Sequence, residues 1–275
     1  MANLQVLRKR YKSIQATADM ASALKTAATV KYAKISRVLM NIEAYSRACD
    51  ETLSLFGSIG LKRNTKTVKT HNCVVFLSND RGFCGGFNSE LTKFFETRMA
   101  AEPEPPVLFV YGQKGIAFCR GKGLSFETLN LTDVPTYADA EALTNKLFDL
   151  YASGEVSQVF IVHQHFVNMM VQQPTAELIL PQQQSENSEE QDILFLPDRE
   201  SAVQTPSMYC LTNSIYHILL GHCAGIQAAT TIAMRSACDN ADKSLEKLET
   251  LINRIRQAEV TNSVIETSSY LISEE

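Results

Sequence analysis

The chain has 275 residues, of which 45% are hydrophobic and 20% are charged, with a net charge of −4. This composition supports one or two globular domains and excludes an intrinsically disordered chain. It also gives no support to nucleic-acid binding, which needs a basic excess. Seven cysteines without a CxxC pair indicate reduced thiols in a cytosol-facing compartment. We expect no secretory signal, because MANLQVLRKRYKS has no apolar h-region, and no direct membrane insertion, because no apolar run is long enough to span a bilayer.

Residues 1–57 predict one long helix. Sixteen positions spaced by three and four residues contain fourteen apolar side chains, which is typical of a coiled-coil seam. These positions are Leu4, Leu7, Tyr11, Ile14, Ala18, Ala21, Lys25, Ala28, Tyr32, Ile35, Leu39, Ile42, Ser46, Cys49, Leu53 and Phe56. At 1.5 Å per residue the helix would be roughly 85 Å long. It carries nine basic and four acidic residues. This excess suits an acidic partner surface, and a solvated helix face explains it equally well.

Residues 72–200 predict an α/β domain. The runs NCVVFLS and PVLFVYG read as buried strands, and QVFIVHQHF with NMMVQQPTAELILP reads as a hairpin. The stretch YADAEALTNKLFDLYASG predicts a helix that ends at Gly154. An acidic polar loop, residues 185–192, follows the hairpin. Alternating strands and helices followed by an antiparallel addition indicate a Rossmann-like sheet.

Residues 208–272 predict a second long helix with the same spacing. Its seam is formed by Met234, Cys238, Ala241, Leu245, Leu248, Ile252 and Ile255. The apolar stripe then moves to Val260, Val264 and Leu271, which we interpret as a stutter. Two seams of similar length on either side of one domain predict an antiparallel two-helix coiled coil with the α/β domain inserted between its strands.

The loop SNDRGFCGGFN, residues 78–88, lies between a strand and a helix, where nucleotide phosphates often bind. Its glycines fit neither a P-loop nor the G-x-G-x-x-G spacing. We therefore predict a structural turn in which Gly82, Gly85 and Gly86 permit tight packing, while Asp80 and Arg81 either fix the loop by hydrogen bonding or pair with the foot of the helical rod. Either Asn88 or Ser89 is expected to cap the next helix.

No catalytic constellation emerges from the sequence. His163 and His165 share one strand face, but no third metal ligand is apparent, so no metal and no cofactor are expected. Two function classes remain open from the residues alone. One is a small-molecule-binding module with a helical dimerisation arm, and the other is a self-associating coiled-coil scaffold.

Three stretches resemble the gamma subunit of F-type ATP synthase, the central rotor shaft. They are IQATADMASALKTAATVKYAK near the start, SNDRGFCGGFNSEL in the middle, and AMRSACDNADKSLEKLETLINRIRQAEVTNSV near the end. The middle stretch is similar to the family's Ser-Asp-Arg-Gly-Leu-Cys-Gly-Gly-Phe-Asn pattern. The three occur in the family's order and span the chain.

The resemblance implies a non-catalytic stalk that transmits torque inside a ring of three alpha and three beta subunits. The α/β domain would meet an epsilon-type subunit and the membrane rotor ring. ATP synthesis would be coupled to transport of hydrogen or sodium ions. The chain would lie at the cytoplasmic face of a bacterial inner membrane, held there by its partners. By the same resemblance, Arg256, Gln257 and Thr261 match residues that hydrogen-bond a loop of the beta subunit.

The chain departs from the family pattern near its end. Glu259 stands where alanine is usual, Asn262 and Ser263 replace Gln-Glu, and the tail reads SSYLISEE. These departures leave open a paralogous shaft that serves a specialised ATPase.

Overall fold

A computed structural model describes residues 2–56, 71–181 and 199–273. The linker at 57–70 and the acidic loop at 185–192 lie outside the described residues. The chain forms two compact units, one made of Met1–Ala28 with Thr231–Glu275 and the other of Thr29–Thr230. The elements in chain order are α1 Ala2–Phe56, β1 Cys73–Leu77, α2 Phe87–Ala100, β2 Val107–Tyr111, α3 Gln113–Gly121, β3 Glu127–Thr128, α4 Tyr137–Ala152, β4 Val159–Phe166, β5 Gln172–Leu180 and α5 Arg199–Ser273. Within these residues no helix is long and apolar enough to cross a membrane.

The larger unit is built on a five-stranded sheet with the order β3-β2-β1-β4-β5. Strands β3, β2, β1 and β4 run parallel, and β5 pairs antiparallel with β4. Strand β1 lies at the centre, and all five of its residues are fully buried. Its unbroken apolar run reflects burial on both faces. The predicted α/β class with an antiparallel addition is confirmed.

Each face of the sheet is covered by helices. On one face α4 and α5 pack against residues of β1, β2, β4 and β5 around Leu147, Ile161 and Ile215. On the other face α2 and α3 cover residues around Phe76, Phe95 and Cys119. The rings of Phe76 and Phe95 are stacked with centroids 4.0 Å apart. Helix α3 was not predicted, because its sequence GQKGIAFCRGKG shows no clear apolar period, and β3 was not predicted, because it has only two residues, Glu127 and Thr128.

Helices α1 and α5 run antiparallel within the larger unit. Ser46 accepts a hydrogen bond from Asn213 at 2.9 Å, while earlier in α1 Ile35 packs with Leu220 and Ala224 later in α5. Helix α5 begins at Arg199, before the predicted residue 208, and continues through Pro206. Nine consecutive residues of α5, 218–226, are buried, so this helix is enclosed on all sides there. Helix α1 buries a single stripe.

Candidate functional site

The crevice at the carboxyl ends of β1 and β4 is the place where this fold would bind a ligand. From β1 the chain continues to β2, which lies on one side of β1 in the sheet. The neighbour on the other side is β4, which comes later in the chain. The order of the strands therefore reverses between β1 and β4. In open α/β sheets, ligands bind in the crevice outside such a switch point.

Helix α5 fills this crevice with the side chain of His222. The backbone N–H of Gln164 in β4 donates to Nδ1 of His222 at 3.2 Å. The Nε2 atom of the same ring lies 3.3 Å from the carbonyl oxygen of Ser78. Since Nδ1 accepts, Nε2 carries the proton and donates to Ser78. The imidazole thus joins the two strands just beyond their last paired residues, Phe76 and Val162.

The electrostatics of His222 follow from its complete burial. Desolvation lowers the pKa of His222 from 6.5 to about 3, with a smaller lowering from the neighbouring His163. The ring is therefore neutral near pH 7 and stays in the tautomer that both strands require. Gln164 adds a further bond, since its side-chain amide donates to the carbonyl of Phe87 at 3.2 Å. We call Ser78, Phe87, Gln164, His222 and Gly225 the α5 seat.

Gly225 lets α5 approach the base of α2 closely. A Cβ atom at this position would lie 3.3 Å from Cε2 of Phe87 and 3.4 Å from Cγ of Gln172. The rings of Phe87 and His222 are 5.6 Å apart. From the sequence alone, Gly225 predicts only a locally weaker helix, because glycine has a low helix propensity. In the structure it removes the side chain that would hold α5 away from the hairpin.

The loop after β1 also uses its polar groups internally. The hydroxyl of Ser78 donates to the carbonyl of Tyr111 at 2.7 Å and accepts from the N–H of Gly115 at 2.8 Å. A carboxylate oxygen of Asp80 accepts from the N–H of Gln113 at 3.0 Å, at the first turn of α3. The N-terminus of α3 is therefore occupied by side chains of this chain, where a phosphate would otherwise bind.

The predicted turn residues differ in what the backbone requires of them. Gly85 has φ +59°, whereas Gly86 has φ −76° and ends up as the N-cap of α2. A Cβ on Gly82 would meet nothing within 4 Å. The carbonyl of Arg81 accepts from the side chain of Asn88 at 3.3 Å. The prediction that Asn88 or Ser89 caps α2 was wrong, because α2 already begins at Phe87 without a side-chain cap.

The two strand histidines do not form a metal centre. His163 is buried, and its Nε2 lies 3.2 Å from a carboxylate oxygen of Glu177 on β5. That hydrogen bond is the largest cause of the lowered pKa of Glu177. His165 is exposed, with its ring 6.2 Å from that of His163. Among the described residues no group of three potential ligands is positioned to hold a metal ion.

The smaller unit pairs the start of α1 with the end of α5. Its buried side chains include Ala21, Ala28, Met234 and Leu248. The thiol of Cys238 lies 3.9 Å from the carbonyl oxygen of Ala18, across the two helices. The other predicted seam positions in this unit are half-buried: Leu7, Ile14, Leu245, Ile252 and Ile255. The ninth seam residue, Ile35, is fully buried in the larger unit.

The predicted stutter after Ile255 was wrong. Glu259 is half-buried, so the three-four spacing continues through it. Val260 and Val264 are 58% and 59% exposed, and the side chain of Leu271 is outside the described residues. The apolar stripe therefore leaves the helix pair, and exposed apolar side chains grouped in this way are typical of surfaces that bind a partner.

Arg256, Gln257 and Thr261 lie exposed on the same stretch of α5. The hydroxyl of Thr261 donates to the carbonyl of Gln257 at 2.9 Å, one helical turn earlier. Among the described residues Arg256 makes no ion pair. With Val260 and Val264, these side chains form a mixed polar and apolar strip, which we call the α5 strip.

Sequence reasoning singled out Arg256, Gln257 and Thr261, whose contacts stay a prediction, but missed the α5 seat. His222 lies within a buried apolar stretch, LLGHCAGI, and a lone histidine there has many explanations. The one available signal is a histidine beside the small residues Gly221 and Gly225 in a helix that is otherwise apolar on every side. Its partners Ser78 and Gln164 are 144 and 58 residues away.

Comparison with known proteins gives a consistent result. The family model described as ATP synthase matches residues 3–269. A protein of Methylococcus capsulatus named ATP synthase gamma chain is 34% identical over 202 residues, which is 70% of each chain. The protein of that name from Haemophilus influenzae strain PittGG is 29% identical over 282 residues, and 97% of each chain is covered.

Solved structures share the fold. A chain in the Euglena gracilis mitochondrial ATP synthase, described as OSCP/F1/c-ring in rotational state 3, matches with a TM-score of 0.70 and 12% identity. The match covers 99% of this chain and 94% of that one. A chain of the rotor in rotational state 1 gives a TM-score of 0.66.

Proposed function

Because this chain belongs to the ATP synthase gamma-chain family, we propose that it is the central stalk, or rotor, subunit of an F-type ATP synthase and transmits torque between the membrane rotor and the catalytic ring. The observation that carries this role is the match of the family over residues 3–269, which includes both long helices and the sheet between them. The chain is expected to be non-catalytic, with no cofactor of its own.

The partners are inferred from this role. We propose contacts with the alpha and beta subunits of the catalytic ring, with an epsilon-type subunit and with the membrane rotor ring. The structural relatives support this, since they come from a rotor and from an assembly of F1 with a c-ring. We place the chain at the cytoplasmic face of a bacterial inner membrane, attached through its partners.

The physical basis of coupling is asymmetry. A single stalk inside a ring with three equivalent catalytic subunits makes different contacts with each of them. A contact can shift the conformational equilibrium of a subunit only by its difference in free energy between the two states. The exposed strip on α5, which carries charged, amide, hydroxyl and apolar groups, supplies such contacts.

Co-expression with candidate alpha and beta subunits tests the proposed role. Native mass spectrometry of the purified complex is expected to give one copy of this chain for three alpha and three beta subunits. ATP hydrolysis by the ring is expected to depend on the chain. A homodimer of this chain, or a complete and fully active ring without it, would contradict the proposal.

Replacing Arg256 and Gln257 together with alanine is expected to lower ATP hydrolysis by the assembled complex. Loss of one charge-assisted hydrogen bond of about 1.4 kcal/mol corresponds to a roughly tenfold change. The matched control is Arg254→Ala, which removes another exposed arginine from the same helix. Equal activity of the double variant and the control, in complexes of equal stoichiometry, would remove the α5 strip from the contact surface.

A further inference from the structure

We propose that torque passes between the α/β sheet and the stalk chiefly through α5, and that His222 is the positioning residue that prevents α5 from turning in its seat. This inference rests on the proposed function, since it requires that the chain work as a rotor. It adds the path of the force inside the subunit and the side chain on which that path depends.

The sheet holds α5 more extensively than it holds α1. Helix α5 packs on β1, β4 and β5 through Leu211, Ile215 and Leu219, and residues 218–226 are buried on every side. Helix α1 packs on α5, where Ile35 contacts Leu220, and it meets the sheet through Tyr32, whose ring lies 6.0 Å from that of Phe166 at the end of β4. A turning force from the sheet therefore reaches α5 first.

The hydrogen bonds of His222 oppose rotation of α5 about its own axis. Apolar packing resists separation of two surfaces but specifies orientation weakly, because it is not directional. Hydrogen bonds are directional. The two bonds of His222 end on backbone atoms of different strands, Ser78 in the loop after β1 and Gln164 in β4. A roll of α5 about its axis would break both bonds and leave two buried backbone groups without partners.

Helix α1 is joined to the larger unit by an ion pair at the surface. Lys31 of α1 forms an ion pair with Asp133, and the side chains of both residues are partly or largely exposed, 37% and 74%. Exposed ion pairs contribute little, because water screens them. The seat of α5 is buried, so its bonds resist rotation more strongly than this pair does.

The test uses the assembled, membrane-reconstituted complex with three substitutions of His222. Leucine removes both bonds, glutamine keeps a donor for the carbonyl of Ser78, and asparagine keeps an acceptor for the N–H of Gln164. The readouts are ions pumped per ATP hydrolysed and amide hydrogen exchange of residues 218–226. Asp133→Asn, which removes the ion pair of α1, is the matched control.

For His222→Leu we expect the number of ions pumped per ATP to fall while subunit stoichiometry and ATP hydrolysis persist, because the ring turns α5 without turning the sheet. Hydrogen exchange of 218–226 should rise about tenfold or more, the change expected when two buried bonds are lost. Glutamine and asparagine should each restore part of the ratio, and the Asp133 variant should match the wild type.

Faster amide hydrogen exchange of residues 218–226 with an unchanged number of ions pumped per ATP would overturn the inference. The α5 seat would then stabilise the fold without carrying torque. A number of ions pumped per ATP that is lowered equally by Asp133→Asn would also overturn it, since α1 would then carry as much of the torque as α5. If His222→Leu does not assemble, the glutamine and asparagine variants decide in the same way. Failure of the proposed function is separate and is seen in the wild type, as ATP hydrolysis that does not depend on this chain.

Discussion

Replacing Gly112 with alanine is expected to destabilise the larger unit by several kcal/mol. Gly112 precedes α3 with φ +89°, a conformation that L side chains rarely adopt. A Cβ atom there would lie 2.6 Å from Oγ and 2.7 Å from the backbone carbon of Ser78. Backbone strain costs about 1–3 kcal/mol and overpacking about as much again. Chemical denaturation of the full chain measures the loss directly.

Two other glycines separate these contributions. Gly123 also has a positive φ, +68°, but a Cβ there would meet nothing within 4 Å, so alanine should cost about 1 kcal/mol from strain alone. At Gly82 neither the backbone nor the surroundings oppose a side chain, and alanine should change the free energy of unfolding by less than about 0.5 kcal/mol. If Gly112→Ala lowers the free energy of unfolding no more than Gly123→Ala does, the close approach of Gly112 to Ser78 is contradicted.

Acidification is expected to unfold the larger unit partly through His222. The pKa of His222 is about 3 in the folded chain and 6.5 when unfolded, so the unfolded chain binds the proton more readily. The stability contributed by neutral His222 is therefore complete above pH 6.5 and is lost as the pH falls towards 3. At 1.36 kcal/mol per pKa unit, the difference between 6.5 and about 3 corresponds to a full loss of roughly 5 kcal/mol.

The matched variant for this prediction is His222→Gln, which keeps the bond to Ser78 and does not titrate. Glu177 and Asp139 have lowered pKa values and also lose their stabilising effect in acid, but they do so equally in the wild type and in the variant. The difference between wild type and variant therefore isolates His222. Denaturation at about pH 7 and about pH 4 should show a steeper loss for the wild type. Parallel losses in the two chains would contradict the buried neutral imidazole.

The sequence predicted those features whose cause is local or periodic. A side chain repeated every three to four residues must lie on one face of a helix, so the seam positions up to Cys49 follow from the residue spacing alone. The strands of the sheet were equally clear, because β1 and β2 are unbroken apolar runs. The helix α4 follows a Thr136–Asp139 capping box, a signal written within four residues.

Features that depend on distant parts of the chain could not be predicted. The requirement for glycine at position 112 comes from the backbone of Ser78. The residues next to Gly112 in the sequence give no sign of this contact. The role of His222 depends on two strands that are far away in sequence. The sequence pattern assigns Val260 to the seam, since apolar character does not tell which partner covers a residue. In the folded chain Val260 is exposed and is not covered by α1.

The central claim is that this chain rotates within a catalytic ring, and direct observation of rotation tests it. The ring would be fixed to a surface through its beta subunits, and an optical probe would be attached to the larger unit of this chain. The account predicts that the probe turns continuously in one direction when ATP is added and stops when ATP is removed. A probe that stays still while the ring hydrolyses ATP would contradict it.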